Sequence, residues 1–373
     1  MTTPHTMPAA PSERERLSRI EKARHDILSD GALTPTEWVE PWIDRSWRRC
    51  LARGFMPAQR LSFDALSAAE ARRALEASQP LLKAAAPVIR SLARAMADTR
   101  YFAVLTDAQG VVIDVNGPID HQNPQATAIA RIGVNLSEAA VGTTAIGATL
   151  TELQPVWLHR GEHFFDDTTV YSCAGAPLFG PDGRCVGMLD LTGINVPERP
   201  ALKHLVTQSA RSIENALTLA QPHRLLLRIS WPGAGLGEES DGLVCVDADG
   251  RITGANRTAA DMLTLPSGLP WPHCSDVFAV PPDSLFDAAR AQRAATELPL
   301  WSGLRLQVLA RLNQGRSSTA PPVSTGVPLK DVETALIRRA VEEARGNVME
   351  AARVLGISRA TVYRKLQRHS SSS

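Results

Sequence analysis

The sequence contains no CxxC pair. Its five cysteines, Cys50, Cys173, Cys185, Cys245 and Cys274, stand apart, which argues against a zinc knuckle or a disulfide framework and for buried thiols. No stretch approaches the roughly 18 to 20 uninterrupted apolar residues of a membrane span. Leu81 to Ala93 comes nearest, and Lys83 and Arg90 interrupt it. The N-terminus has no apolar run after its start and does not read as a secretory signal, so the expected compartment is the cytoplasm. A G-x-x-x-x-G-K-S/T phosphate loop is missing, and GAGLGEES lacks the Lys that would reach phosphates. A G-x-S-x-G nucleophile elbow and a fixed-period repeat are missing too. Neither an enzyme nor a bound metal or cofactor is expected.

What is present is globular in character. Of 373 residues 44% are hydrophobic and 21% charged, which suits two or three folded units rather than a disordered chain. The net charge of +1 hides an asymmetry: the last 46 residues hold 9 Lys+Arg against 5 Asp+Glu, and no acid follows Glu350. A basic end of this kind predicts an anionic partner of its own.

Element signals divide the chain. Residues 1–80 read as a helical segment with Trp38, Trp42 and Trp47 close together, more like a small core than a cofactor box. Residues 81–222 read as a sensor-sized α/β domain. Leu81, Leu82, Ala85, Val88, Ile89, Leu92 and Met96 recur at helical spacing, short β-rich runs follow (YFAVLTD, VVIDVNG, PVWLH, TVYSCAGAPLF, CVGMLDLTG), and a long amphipathic helix from Leu202 ends near Ala220 before Pro222. Residues 236–312 read as a smaller module opening with two strands around DADG and a helix-like run, Gly242 to Leu263. Residues 313–327, NQGRSSTAPPVSTGV, read as a flexible linker.

Residues 328–369 carry the most specific pattern. Asn347 with Glu350 has capping-box spacing, and Val348, Ala351, Ala352 and Leu355 form one apolar face. Gly356 can take the left-handed turn, Ser358 can cap a second helix, and Val362 and Leu366 give that helix a buried side. Opposite them lie Thr361, Arg364, Lys365 and Arg368, with Arg359 in the first turn, where the helix dipole disfavours a cation unless an anion is there. Arg suits guanine O6 and N7 in the major groove, Thr a thymine methyl, Lys and Arg the phosphates. The alternative is a solvated basic face, but cap, turn, apolar spacing and stripe agree on a helix-turn-helix reading double-stranded DNA.

GNVMEAARVLGISRATVYRKLQRH resembles the Fis-type helix-turn-helix at the end of bacterial enhancer-binding activators. RSWRRCLARG near Arg45 resembles the N-terminal signature of the acetoin-catabolism-type activators of that class. SEAAVGTTAIGATL, PVWLHRGEHF and SCAGAPLFGPDGRCVGMLDLTG are similar to their GAF sensor domain, and Gly242 to Leu263 is similar to the start of their PAS-like segment. The resemblance implies an α+β multidomain regulator: GAF- and PAS-like α/β sensor modules with an all-α Fis-type end. It implies a small organic effector and places Ser358, Arg359, Thr361, Arg364 and Lys365 at positions that face DNA. The chain departs from the family where the activators carry a sigma-54-remodelling ATPase, for only 15 residues stand there.

The expectation is therefore a ligand-responsive, sequence-specific DNA-binding regulator without ATPase activity. A homodimer would double the few base pairs one recognition helix reads. The alternatives are an interaction subunit pairing with RNA polymerase or an ATPase-bearing relative and, more remotely, a metal-dependent hydrolase. For the last, His159, Glu162 and His163 spell H-x-x-E-H, but Gly161 and the preceding PVWL favour a turn after a strand. Trp157, His163, Phe164 and Ser172 are the expected effector contacts, aromatic walls with polar tips. Pairing Phe179 with Arg184 across GPDG would set Cys173 opposite Asp190 and Cys185 opposite Leu178, which keeps the two thiols apart.

Overall fold

A computed structural model describes residues 13–31, 34–268 and 270–313, together with Val348. The chain divides into Met1–Asn313 and Gln314–Ser373. In the second unit only Val348, helical, is described. The expected linker beyond Asn313 and the helix-turn-helix with Ser358, Arg359, Thr361, Arg364, Lys365 and Arg368 thus lie outside the described residues.

The first unit opens with helices α1 (Glu13–Arg24), α2 (Pro41–Ala52), α3 (Ala68–Ala77) and α4 (Gln79–Ala95). Strands β1 (Tyr101–Asp107), β2 (Val112–Asn116), β3 (Val156–His159), β4 (Tyr171–Phe179) and β5 (Cys185–Ile194) follow, with α5 (Pro124–Ile129), α6 (Glu138–Val141) and α7 (Ala145–Glu152) between β2 and β3, and α8 (Leu202–Leu219) after β5. They form an antiparallel sheet of order β2-β1-β5-β4-β3, the GAF-like arrangement that the sequence resemblance implied. The β1–β2 turn shows how local chemistry sets it: Asp107 Oδ1 accepts from the amides of Gln109 and Val111, each at 2.9 Å, and Gly110 takes φ +83°.

Strict alternation splits the strands between two faces. Tyr101, Ala103, Leu105, Ala174, Ala176, Leu189 and Leu191 pack with α4 (Leu81, Ala85, Ile89) and α8 (Val206, Ala210, Ile213). Phe102, Val104, Tyr171, Cys173 and Met188 face the other way, onto α5, α6 and α7. That second core also contains Ile20 and Ala23 of α1 and Trp42, Ile43 and Trp47 of α2. The aromatic cluster expected as a small core of residues 1–80 is thus divided. Trp42 and Trp47 are buried in the core of the first sheet, and Trp38 is exposed. Trp47 is held there by its Nε1, which donates to Glu162 O at 2.9 Å.

A second sheet is built from β6 (Leu225–Ser230), β7 (Gly242–Val246), β8 (Ile252–Ala255), β9 (Thr296–Pro299) and β10 (Arg305–Leu312), with α9 (Arg257–Leu263), α10 (Cys274–Val277) and α11 (Pro282–Arg290). The two strands around DADG and the helix after them are where the sequence placed them. Its start at residue 236 is corrected: β6 lies ahead of that boundary and is the central strand, paired with both β7 and β10. The order β8-β7-β6-β10-β9 is that of the first sheet with its central strand supplied from the N-terminal side. LLLRIS follows Pro222 almost directly, and its opening run of three leucines hides the alternation by which Leu225, Leu227 and Ile229 enter the core while Leu226 and Arg228 are half-buried.

The β4–β5 register is corrected as well. Gly180 N donates to Arg184 O at 2.8 Å, so Arg184 closes the turn, and a bulge follows Phe179↔Cys185. Cys173 then stands opposite Thr192, not Asp190, and Leu178 opposite Gly187, not Cys185. Six residues of strand separate Cys173 from the Phe179↔Cys185 pair, about 20 Å along the hairpin. Both thiols are free.

Candidate functional site

The face of the first sheet under α5, α6 and α7 borders a cavity between β4, β5 and α7, with about 30 Å³ of room for the centres of water-sized groups. Its apolar wall comes from Phe63, Ile129, Leu136 and Ile146, and its polar points from Thr144, His163, Thr168, Tyr171, Asp190 and Thr192. The roof sits close because the sheet has no side chain at Gly175: a Cβ there would lie 2.5 Å from Thr149 Oγ1 and 2.7 Å from Met188 Cε. Gly175 pairs with Asp190 across β4 and β5, so the missing side chain leaves the carboxyl of Asp190 uncovered beneath α7.

Asp190 and His163 are both buried, at 0% and 1% exposure. Thr192 Oγ1 donates to Asp190 Oδ2, while Asp190 Oδ1 has no partner among the described residues. Burial drives this carboxyl up to about 7, against the pull of the Thr192 hydrogen bond. His163 Nδ1 lies 2.9 Å from Arg160 O. A carbonyl can only accept, so Nδ1 carries the proton and Nε2 presents a lone pair. That Nε2 also has no partner among the described residues. Burial lowers the imidazole to about 4, so the ring is neutral at physiological pH.

The four expected effector contacts have separate fates. His163 lines the cavity. Trp157 faces the opposite side of the sheet, its Nε1 donating to Glu198 at 3.2 Å. Phe164 is core, edge-on to Phe165. Ser172 is hydrogen-bonded to His159 Nδ1 at 2.7 Å. Asp190, Tyr171, Cys173 and Thr192, which the sequence reading did not select, line the cavity instead. One signal could have found Asp190: it is a carboxylate inside GMLDLTG, a strand whose neighbours on both faces are apolar.

The H-x-x-E-H string is a turn after a strand, as the sequence suggested. β3 ends at His159, and Arg160–Glu162 form a single tight turn with Arg160 at φ +49°. Glu162 is 3% exposed and accepts from Arg16 Nη2 of α1 at 2.8 Å and from His159 N at 2.7 Å. Burial raises it to about 7 despite Arg16. Arg24 of the same helix donates to the carbonyls of Gly161, His163 and Phe164. The string thus anchors α1 beside the cavity wall. Among the described residues no group of three or more His, Cys, Asp or Glu is placed to hold a metal ion.

The roof is tied to the N-terminal helices by RSWRRC. Arg49 Nε and Nη2 hold Glu138 Oε1 and Oε2, each at 2.8 Å, Ser46 donates to Oε2 at 2.6 Å and Arg53 to Oε1 at 3.1 Å. Burial pushes Glu138 up, and these donors more than offset it, leaving the group below its ordinary value. Arg45 and Arg49 both reach Glu152 at the end of α7. The resemblance carried by RSWRRC therefore has a structural content: α2 holds both ends of the cavity's roof.

Comparison with known proteins adds two family matches, to the MimR N-terminal domain over residues 18–215 and to the Fis family of bacterial regulatory proteins over residues 328–369. The acetoin catabolism regulatory protein of Cupriavidus necator is 28% identical over 257 residues, 67% of this chain and 38% of that protein. The propane 2-monooxygenase operon transcriptional activator MimR of Mycolicibacterium goodii is 31% identical over 199 residues, 53% of this chain and 33% of that protein. The chain thus spans between a third and two-fifths of the length of these relatives. Among solved structures, the E. coli DhaR(N)–DhaL complex is similar at a TM-score of 0.45 and 16% identity, over 73% of this chain and 99% of that one.

Proposed function

The chain belongs to the family of the MimR N-terminal domain and ends in a Fis-family match, and from that premise we propose that it is a regulator of transcription whose N-terminal domain senses a small organic effector. The observation that carries this reading is one chain holding both a cavity with unpartnered polar atoms and, in sequence, a basic helix-turn-helix. Residues Ser358, Arg359, Thr361, Arg364, Lys365 and Arg368 read DNA in this proposal, and His163 and Asp190 meet the effector.

The coupling runs through named parts. An occupant of the cavity presses on α7, whose C-terminal end Arg45 and Arg49 hold through Glu152 while Arg49 also holds Glu138 of α6 beside it, and on the sheet whose other face packs α8. Glu214 of α8 accepts from Phe179 N at 2.8 Å, which ties the end of β4 to α8. An effector shifts DNA binding only as far as it binds the two forms differently. The sequence from Met1 to Ser373 holds no phosphate loop, so the proposal assigns ATP hydrolysis, where transcription requires it, to a partner.

The test is selection of genomic fragments by the purified chain at physiological salt, with and without fractions of small-molecule cell extract. A two-fold symmetric motif whose occupancy changes with a fraction supports the reading. Motif-free, salt-sensitive binding defeats sequence-specific regulation, and a motif indifferent to every fraction defeats effector sensing.

A further inference from the structure

We infer that the outward face of α4 is a second DNA contact, with Lys83, Arg90 and Arg94 neutralising phosphates of the duplex backbone. This rests on the reading of the chain as a DNA-binding regulator and adds to it a surface outside the helix-turn-helix.

The three cations form one stripe. At about 100° per residue, Lys83, Arg90 and Arg94 lie within about 40° of one another, on the side opposite the buried Leu81, Ala85, Ile89 and Leu92. All three are exposed, and none has a hydrogen-bond or ion-pair partner among the described residues.

Folding gives no reason for this pattern. α4, Gln79–Ala95, contains no acidic residue, and the groove beside it, where Arg90 and Arg94 face Asn116 and Pro118 at the end of β2, is lined by no carboxylate. The nearest acids in sequence are Glu76 in α3 and Asp98 beyond the end of α4. The stripe interrupts an acidic balance, for the chain ahead of Pro328 holds 31 Lys+Arg against 34 Asp+Glu. A solvated helix face that serves folding alone mixes the two signs, because opposite charges at i, i+4 support a helix and like charges at that spacing oppose it. Arg90 and Arg94 stand at that spacing. Arg94 suits the helix end, where the dipole favours a cation, but Lys83 and Arg90 gain nothing from it. An anion outside the chain accounts for all three.

Spacing selects the kind of anion. At about 1.5 Å per residue, Arg90 and Arg94 are roughly 6 Å apart along the helix and Lys83 is roughly 10 Å further. A single phosphate or carboxylate reaches at most the two arginines. A duplex, with a phosphate about every 3.4 Å of axis along each strand, meets the whole stripe. A second copy of the same face would set cation against cation, which opposes self-pairing there. DNA is the polyanion that the proposed function already brings to the chain.

The experiment measures binding of the full chain to a fluorescent duplex of about 60 base pairs and arbitrary sequence, from about 50 to 200 mM salt. Lys83→Gln, Arg90→Gln and Arg94→Gln together are expected to lower the slope of log K against log salt by about two to three and to weaken binding at least about tenfold at the lowest salt. Lys83→Arg, Arg90→Lys and Arg94→Lys together keep the charges and are expected to keep the slope. The control is Arg184→Gln, Arg290→Gln and Arg305→Gln together, which removes the same net charge from residues paired with Asp182, Asp287 and Glu297 and is expected to leave the slope as it was. Circular dichroism reports the fold of each. A stripe variant with the slope of the unaltered chain overturns the proposal, and so does an equal loss in the control, which would reduce the effect to net charge. A changed sedimentation coefficient with an unchanged slope assigns the face to a second copy and overturns it too. Sequence-specific regulation fails separately, by a motif-free selection, while the arbitrary duplex still reads the stripe.

Discussion

Arg49 of α2 holds Glu138 of α6 in a two-pronged ion pair, Nε to Oε1 and Nη2 to Oε2, both at 2.8 Å. Glu138 is only 5% exposed, so the carboxylate depends on its partners and not on water. Removing Arg49 leaves the buried charge with Arg53 and Ser46 alone, whereas neutralising Glu138 removes the charge itself. Arg49→Ala is expected to cost about 2 to 4 kcal/mol and Glu138→Gln about 1 kcal/mol. The double variant should recover at least about 1 kcal/mol of the sum. Urea unfolding of the four proteins checks this; strictly additive losses would show that the pair is not coupled.

Gly147 in α7 lies against the backbone of Glu138. A Cβ there would sit 2.7 Å from Glu138 N and 2.9 Å from its Cα. Backbone cannot rotate out of the way, so Gly147→Ala should push α7 from α6 and destabilise by about 1 to 3 kcal/mol, against the usual gain of alanine within a helix. Thermal unfolding by calorimetry reads the sign directly, and a rise in Tm would contradict the close approach.

Asp190 titrates near 7 in the folded chain, against an ordinary 3.8. Between those values the native state keeps a proton that the unfolded chain has released. The group therefore costs stability increasingly as pH rises from about 4 to 7, and fully above that. Asp190→Asn removes this component, so the variant's stability minus wild type's should climb over that window and then level, by up to about 4 kcal/mol in all. His159 and His163, lowered to about 4 by burial, act in the opposite sense in both proteins and cancel in the difference. Denaturant titrations at pH 4.5, 6 and 8 test it; a difference that does not change with pH would mean that Asp190 is not the buried acid described.

For the helix-turn-helix, Arg364→Ala should cost about 1 to 3 kcal/mol on the selected operator and relax one base position. Arg368→Ala should weaken specific and non-specific DNA alike and reduce the salt slope by about one. Equal binding by both variants and wild type in a gel-shift series would remove these residues from the interface.

The sequence alone carried the elements whose evidence is local. The short β-rich run of β1, the α4 and α8 spacings and the two strands around DADG could all be read from neighbours within a few residues. The helix-turn-helix pattern and the resemblance carried by RSWRRC were equally legible, because each depends on spacing within one short segment. His163 was found as part of a string, though for what touches it there was no signal.

What tertiary structure decided is long-range. The register of β4 on β5 depends on the pairing of Phe179 with Cys185 at the turn and on the bulge between Leu178 and Phe179, which together moved Cys173 from Asp190 to Thr192. The strand LLLRIS became the centre of a second sheet through pairings with β10, some 80 residues away. Trp42 and Trp47 joined the core of the first sheet because α2 packs on α7 and the turn after β3, which no periodicity in residues 1–80 specifies. The cavity is the extreme case. It exists because Gly175, Asp190, His163 and α7 meet from four parts of the chain, and a sequence pattern records which face a side chain takes but not which distant atoms it will face or fail to find.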